Sequence, residues 1–457
     1  MNGTVNINKC PKCGASQVQY DANKQRFVCN YCHTEFIQEK AKQEIISELK
    51  GYNISDGSKA LIKDSDLIVV RCSNCGAEVV INVNDTNSLK CHWCHSVLSI
   101  QSKVGNGAVP DLILPFKLTK EEAKVKINDF IKERSFFAKK SFKQEFSVDN
   151  VIGVFFPYLI VDCHAHAIFK GEGDRLLRTI HGDEHVSYEV EINNIEREFD
   201  IDIDDFEIEA SLDKVNKYQG KDTKNVINSI MPYDTENCIE FNSSYLLGFT
   251  SEKRDLNVID LQEKIDKSLQ DIARHKIKDD LSRYDCGVRW KQESFESKGK
   301  MIKTAYLPVW LYSYRDKKNR IHYIVVNART GEINGSIPMN KLLYYILFLI
   351  SLLLVVVIPL LLFKTFIPSF YREFMKLNIA VLSVFSLILN VNLFYHTGRK
   401  YRNMTSRHSY ETETKSTIDN IIRKEEFVKT VIRSYDKMYY TNTDKIEGDF
   451  IVEDEDI

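Results

Sequence analysis

Apolar and polar positions recur along this chain with two different periods, and the switches between them mark its elements. Lys120–Arg134 (KEEAKVKINDFIKER) carries apolar residues at helical spacing and predicts an amphipathic helix, with a short strand before it in LILPF. Gly153–Lys170 (GVFFPYLIVDCHAHAIFK) is dense in aromatic and β-branched residues and predicts strand pairs. Ile195–Glu209 (IEREFDIDIDDFEIE) alternates acidic and apolar residues at period two, the pattern of a half-buried strand. Leu256–Leu281 returns to helical periodicity. Thr304–Tyr314 and Arg320–Asn327 predict a β-hairpin around the turn Arg-Asp-Lys-Lys-Asn. FFPYLIVD and YLPVWLYS echo each other as aromatic-proline-aromatic strands. Residues 104–335 therefore read as an α+β soluble domain that admits two related halves.

The pattern then changes. Leu342–Phe363 has no charged residue across 22 positions. As a helix it would run about 33 Å, enough for a hydrocarbon core of about 30 Å. Leu377–Tyr395 is a weaker candidate of 19 residues that contains three asparagines. The loop between them, KTFIPSFYREFMK, is too short for a domain, so residues 336–397 predict a transmembrane helical hairpin. The loop holds Lys364, Arg372 and Lys376, while the flanks hold Arg329, Lys341, Arg399, Lys400, Arg402 and Arg407. That bias places both termini in the cytoplasm and the chain in the cell membrane as a two-pass protein. The charged cytosolic tail, 398–457, predicts a helix over Ile418–Met438, with Ile418, Ile421, Ile422, Val428 and Val431 as its apolar positions. Its acidic end, EGDFIVEDEDI, is expected to stay mobile.

The N-terminal part repeats itself. CPKCGASQVQYDANKQRFVCNYC spans Cys10–Cys32 and CSNCGAEVVINVNDTNSLKCHWC spans Cys72–Cys94, offset by 62 positions. In each, fifteen residues separate two Cys-x-x-Cys pairs, and both copies open C-x-x-C-G-A. A Cys-x-x-Cys turn aims two sulfurs at one metal, and the intervening stretch suits a β-hairpin that returns the second pair. Gly14 and Gly76 supply positive φ after each first pair. Cys10, Cys13, Cys29 and Cys32 are therefore expected to hold one Zn2+, and Cys72, Cys75, Cys91 and Cys94 a second. Four filled positions make both sites structural. His33, His92 and His95 read as neighbours of the sites, not ligands. The two β zinc ribbons occupy residues 1–45 and 70–103. Between them lies a helical linker (46–69), with a short helix predicted over Gln38–Lys50. The chain has 11 cysteines, and the other three (Cys163, Cys238 and Cys286) are scattered. An odd total with tight pairing suits metal thiolates in a reducing compartment. The first ten residues also lack a secretory pattern.

Charge argues against nucleic acid as the main partner. The chain carries a net −2. Residues 1–50 hold seven basic and five acidic groups, and residues 51–103 hold five of each. Zinc thiolates add negative charge, a poor footprint for phosphate backbones. Tyr20, Phe27, Tyr31 and Trp93 read as packing for the ribbon cores. On a strand, His164 and His166 of Asp-Cys-His-Ala-His share one face and Cys163 takes the other; no third ligand is spaced for them. The acidic run Glu196–Glu209 reads as the wet face of a strand. No Walker loop, nucleophile elbow, HExxH or kinase signature occurs.

Islands of this sequence resemble bacterial membrane proteins with a transcription-factor-IIB-type zinc ribbon. The matching residues are Leu114–Leu118 with Lys120–Ala123, Gly153–Tyr158 with Asp162, Leu307–Trp310, and Asn327–Glu332 with Gly335 and Pro338. At the last motif the family pattern is Asn-Gly-Gln-Thr-Gly, from which Ala328 and Arg329 depart; Asn327–Gly331 reads as a turn between strands. The ribbon here is doubled. The resemblance implies a link to phage-shock-type and flotillin-like membrane-stress proteins and carries over no catalytic residue. The sequence thus points to a non-enzymatic, membrane-anchored adaptor that recruits cytosolic or peripheral membrane proteins. The alternative is a membrane-tethered nucleic-acid-binding regulator.

Overall fold

A computed structural model describes residues 9–353, 384, 387–398, 401 and 414–436, apart from 16–17, 22–23, 25, 39, 42, 85–89, 99–102, 105–108, 182–184, 212–226 and 317–320. Three strands open the chain, β1 (Val18–Asp21), β2 (Arg26–Cys29) and β3 (Glu35–Phe36), and form a small antiparallel sheet of their own. Next come β4 (Gly51–Ile54), the hairpin β5 (Leu67–Arg71) and β6 (Glu78–Asn82), and two short strands, β7 (Lys103–Val104) and β8 (Leu112–Ile113). Helices α1 (Lys120–Glu133) and α2 (Lys140–Glu145) follow. Two very long strands, β9 (Ile152–His181) and β10 (His185–Glu209), pair antiparallel. At 30 residues, β9 runs roughly 100 Å. Beyond them lie β11 (Ile239–Glu240), β12 (Thr250–Glu252), α3 (Val258–Lys276) and the 28-residue β13 (Val288–Arg315). Then come β14 (Ile321–Asn327), β15 (Ile333–Gly335), α4 (Lys341–Leu352), β16 (Lys415–Ile418) and β17 (Ile422–Asp436). All strands from β4 onward join one 14-stranded sheet.

Local chemistry explains the long elements. Thr119 caps α1 through a reciprocal box with Glu122, and Ala123, Ile127, Phe130 and Ile131 form its buried stripe. α3 buries Val258, Leu261, Ile265, Leu269 and Ile272 at helical spacing and ends on Arg274, His275 and Lys276, which favour a helix C-terminus. In β9 the continuous run Val154–Val161 is buried on both faces, whereas from Cys163 to Phe169 only odd positions are buried, under α3. Ala165 and Ala167 leave room for that helix. The two echoing strands lie side by side, with Phe155 opposite Pro308 and Pro157 opposite Tyr306. Predicted β-hairpin Thr304–Asn327 forms as β13 and β14, Val309 facing Asn327.

Three expectations are overturned. The α+β reading gives way to a mostly β architecture in which two long helices cover faces of one sheet. Gln38–Lys50 holds only a 3-10 turn at Ile46–Glu48, because no apolar stripe of it is buried. Ile418–Met438 is not helical over its described residues: β16 and β17 pair with β10, Ile201 facing Ile418 and Glu198 facing Ile422. The free edge of a 25-residue strand offers a full ladder of hydrogen bonds, which an isolated, mostly polar helix cannot match.

The transmembrane hairpin is also not supported. Among the described residues no helix is long and apolar enough to cross a membrane. The described part of α4 covers 12 residues, Lys341–Leu352. Residues 387–398 are helical as well. The two segments meet, with the Tyr344 hydroxyl donating to the Phe394 carbonyl at 2.6 Å and Asn390 Nδ2 donating to Ser351 Oγ at 2.9 Å. Residues 354–383, most of the predicted hairpin, and the acidic end lie outside the described residues. The multi-pass membrane assignment built on that hairpin falls with it.

Candidate metal centres

Each cysteine pair sits in a tight backbone knuckle. In the first, Gly14 N–H donates to the Cys10 carbonyl at 2.8 Å, and Gly14 takes φ +73°. In the second, His33 N–H donates to Cys29 O at 2.8 Å with φ +54°. The β1–β2 hairpin sets Val18 opposite Cys29 and so folds the second knuckle back on the first. The other repeat copies this geometry: Gly76 donates to Cys72 O at φ +75°, and His95 to Cys91 O at φ +59°. His33 and His95 thus occupy the left-handed position that glycine fills in the first knuckles.

All four sulfurs of Cys10, Cys13, Cys29 and Cys32 lie within 4.8 Å of one another, as do those of Cys72, Cys75, Cys91 and Cys94. The closest pairs are Cys10–Cys32 at 3.5 Å and Cys13–Cys29 at 3.6 Å. Their counterparts, Cys72–Cys94 and Cys75–Cys91, lie at 3.5 and 3.6 Å. A tetrahedral zinc with bonds of about 2.3 Å needs sulfurs about 3.8 Å apart, so both clusters fit that ion after a small expansion. The thiols share protons unequally. The hydrogen bond from Cys91 lowers the pKa of Cys75, while the same bond and burial raise that of Cys91. The Thr34 hydroxyl, 3.1 Å from the sulfur, lowers that of Cys32. Ser96 stands 3.4 Å from Cys94 at the same repeat offset.

No histidine belongs to either cluster. His92 is instead fully buried, with Nε2 2.7 Å from Glu252 and Nδ1 3.1 Å from the Thr250 hydroxyl. Trp93 Nε1 donates to the same Glu252 oxygen at 2.9 Å. Glu252 lies 160 positions away, so no local pattern reveals it. His95 Nε2 meets Ser313 at 2.9 Å. Tyr20, Phe27 and Trp93 are buried, but Tyr31 is 75% exposed and does not pack a ribbon core.

The other expected positions take ordinary strand roles. His164 and His166 share one face and pair with Asp202 and Asp200 at 2.6 and 2.8 Å, while Cys163 is buried beneath α3. The carboxylates of Asp162, Asp204 and Asp205 converge within 4.8 Å at a bulge in β10, where Asp205 adopts φ +54°. Burial, then the neighbouring Asp205 and Asp204 charges, push Asp162 up to about 6 against the bond it accepts from Asp205 N–H. Asn327 forms the expected turn: its Nδ2 donates to Ile230 O and Pro232 O, and its Oδ1 accepts from Arg329 and Thr330 N–H. Arg329 forks onto Asp234 at 2.7 and 2.6 Å.

No family model matches the chain, and no solved structure matches it. The uncharacterized protein YdjG of Bacillus subtilis (strain 168) is 22% identical over 333 residues, which cover 73% of this chain and 90% of that one.

Proposed function

We propose that this chain is a non-enzymatic docking protein in which two zinc ions staple ribbon surfaces that recruit partner proteins. The closure of both clusters carries this reading. Four cysteines fill a zinc tetrahedron and leave no position for water or substrate. Metal held in that way stabilises a fold and performs no chemistry of its own. The family resemblance makes phage-shock-type and flotillin-like proteins the first partners to test. Nucleic acid is the weaker reading, because neither ribbon carries a basic surplus above +2.

The test is affinity capture of tagged wild type beside Cys10→Ser/Cys72→Ser, with zinc measured in both. Two zinc ions per wild-type chain, and a protein partner lost with the variant, support the proposal. A partner set retained in full by a zinc-depleted variant overturns it. Steeply salt-dependent DNA or RNA binding by the full chain would favour the nucleic-acid regulator instead.

A further inference from the structure

The two ribbons share a knuckle geometry but not an anchorage. At the repeat offset, Asn30, Tyr31 and His33 correspond to His92, Trp93 and His95. In ribbon 2 these positions are tied to the large sheet: His92 and Trp93 converge on Glu252 of β12, and His95 on Ser313 of β13. The ribbon 2 hairpin is itself part of that sheet, with Val80 of β6 facing Ser251 of β12. In ribbon 1 the same three positions are exposed, and Cys13 is exposed where Cys75 is half-buried. Its strands form a separate sheet. Among the described residues it rests on the rest of the chain through its hairpin and the segment after it, not through its knuckles: Tyr20 and Phe27 each lie 4.7 Å from Tyr245 between ring centroids, Gln38 bonds Glu240 O and the Tyr245 hydroxyl, and Ala41 N–H donates to Cys238 O.

We infer that ribbon 1 holds an exchangeable zinc and ribbon 2 a locked one, so that metal supply governs the first ribbon while the second keeps the sheet intact. The inference rests on the zinc reading above. Zinc leaves a four-thiolate site by stepwise ligand exchange: an incoming donor takes one coordination position as a thiolate leaves and gains a proton. No electron changes hands. The exposed Cys13 sulfur offers that first position directly. In ribbon 2 the knuckle 91–96 must first open, breaking two buried hydrogen bonds to a carboxylate. Each such bond is worth about tenfold or more, so exchange there is expected to be about 100-fold slower.

The experiment mixes zinc-loaded full chain with excess 4-(2-pyridylazo)resorcinol and follows the coloured complex. Two phases of one equivalent each, separated by about 100-fold, are expected. Alkylation sampled during the fast phase should label Cys10, Cys13, Cys29 and Cys32 ahead of Cys72, Cys75, Cys91 and Cys94, which needs no variant to fold. Glu252→Gln should speed only the slow phase. Two zinc ions leaving at one rate, or ribbon 2 thiols labelled first, would overturn this inference and leave the zinc reading standing. A chain that takes up no zinc overturns both.

Discussion

Replacing Glu252 by alanine tests how ribbon 2 is fixed. One oxygen of this carboxylate receives His92 Nε2 at 2.7 Å and Trp93 Nε1 at 2.9 Å, and Glu252 itself is 1% exposed. Nε2 faces Glu252 and Nδ1 the Thr250 hydroxyl, so the ring has a partner at both nitrogens. Removing the carboxylate takes this acceptor from two buried donors, at about 1–3 kcal/mol each. The expected loss is about 4 kcal/mol of local stability, which is about a thousandfold in an opening equilibrium. Hydrogen exchange is the right assay, because it reports local opening segment by segment. Amides of β5, β6 and the 91–96 knuckle should exchange about a thousandfold faster, while those of β1 and β2 stay unchanged. Glu252→Gln keeps the shape and one acceptor and should fall between. Tyr31→Ala, at the matching exposed position of ribbon 1, should cost less than about 0.5 kcal/mol. A shift in ribbon 2 exchange below about tenfold, with zinc content equal to wild type, would refute the reasoning.

Other expectations follow from single contacts. Asp162 has a folded-state pKa near 6 against 3.8 otherwise, so on raising the pH the unfolded chain loses this proton first. The group therefore costs stability progressively from about pH 4 to 6 and by up to about 3 kcal/mol above that. Asp162→Asn keeps the acceptor for Asp205 N–H, so it should stabilise the protein at pH 7 and flatten that part of the stability–pH curve; unchanged curves would count against it. Arg329→Lys loses the two-pronged contact with Asp234 and the bond to Pro115 O, and should lower a urea midpoint by an amount equivalent to about 1–3 kcal/mol. Gly171→Ala would put a Cβ 2.2 Å from the Arg289 carbonyl, where neither backbone can yield. It should cost more than about 3 kcal/mol or prevent folding, whereas Gly248→Ala, with open space around it at φ +82°, should cost about 1 kcal/mol. Circular dichroism melts compare the two.

What could be read from the sequence divides along sequence distance. The cysteine knuckles are legible because their geometry closes within five residues and repeats at a fixed offset. α1 and α3 are legible for a similar reason, since caps at Thr119 and Asn257 and stripes at i, i+3 and i+4 are all local. Ile418–Met438 fails because its neighbours in space, His185 to Ile201, lie more than 200 positions earlier in the chain. Its apolar positions fit a helical wheel, yet Phe427, Val428, Thr430, Val431 and Ile432 are also good strand formers, and only the open edge of β10 decides between the two. The apolar run from Leu342 shows the limit of a composition window in another way. Lack of charge predicts what a segment avoids, not which helix it forms, and among the described residues no helix is long and apolar enough to cross a membrane. The contrast between the ribbons has the same origin. Their cysteine frames are nearly identical, so the repeat alone predicts equivalent sites; the difference lies in Glu252 and Ser313, partners that hold His92, Trp93 and His95 and have no counterpart contact at Asn30, Tyr31 and His33 among the described residues. The repeat thus carries one cysteine geometry twice, while the long sheet takes up the strands of the second copy alone.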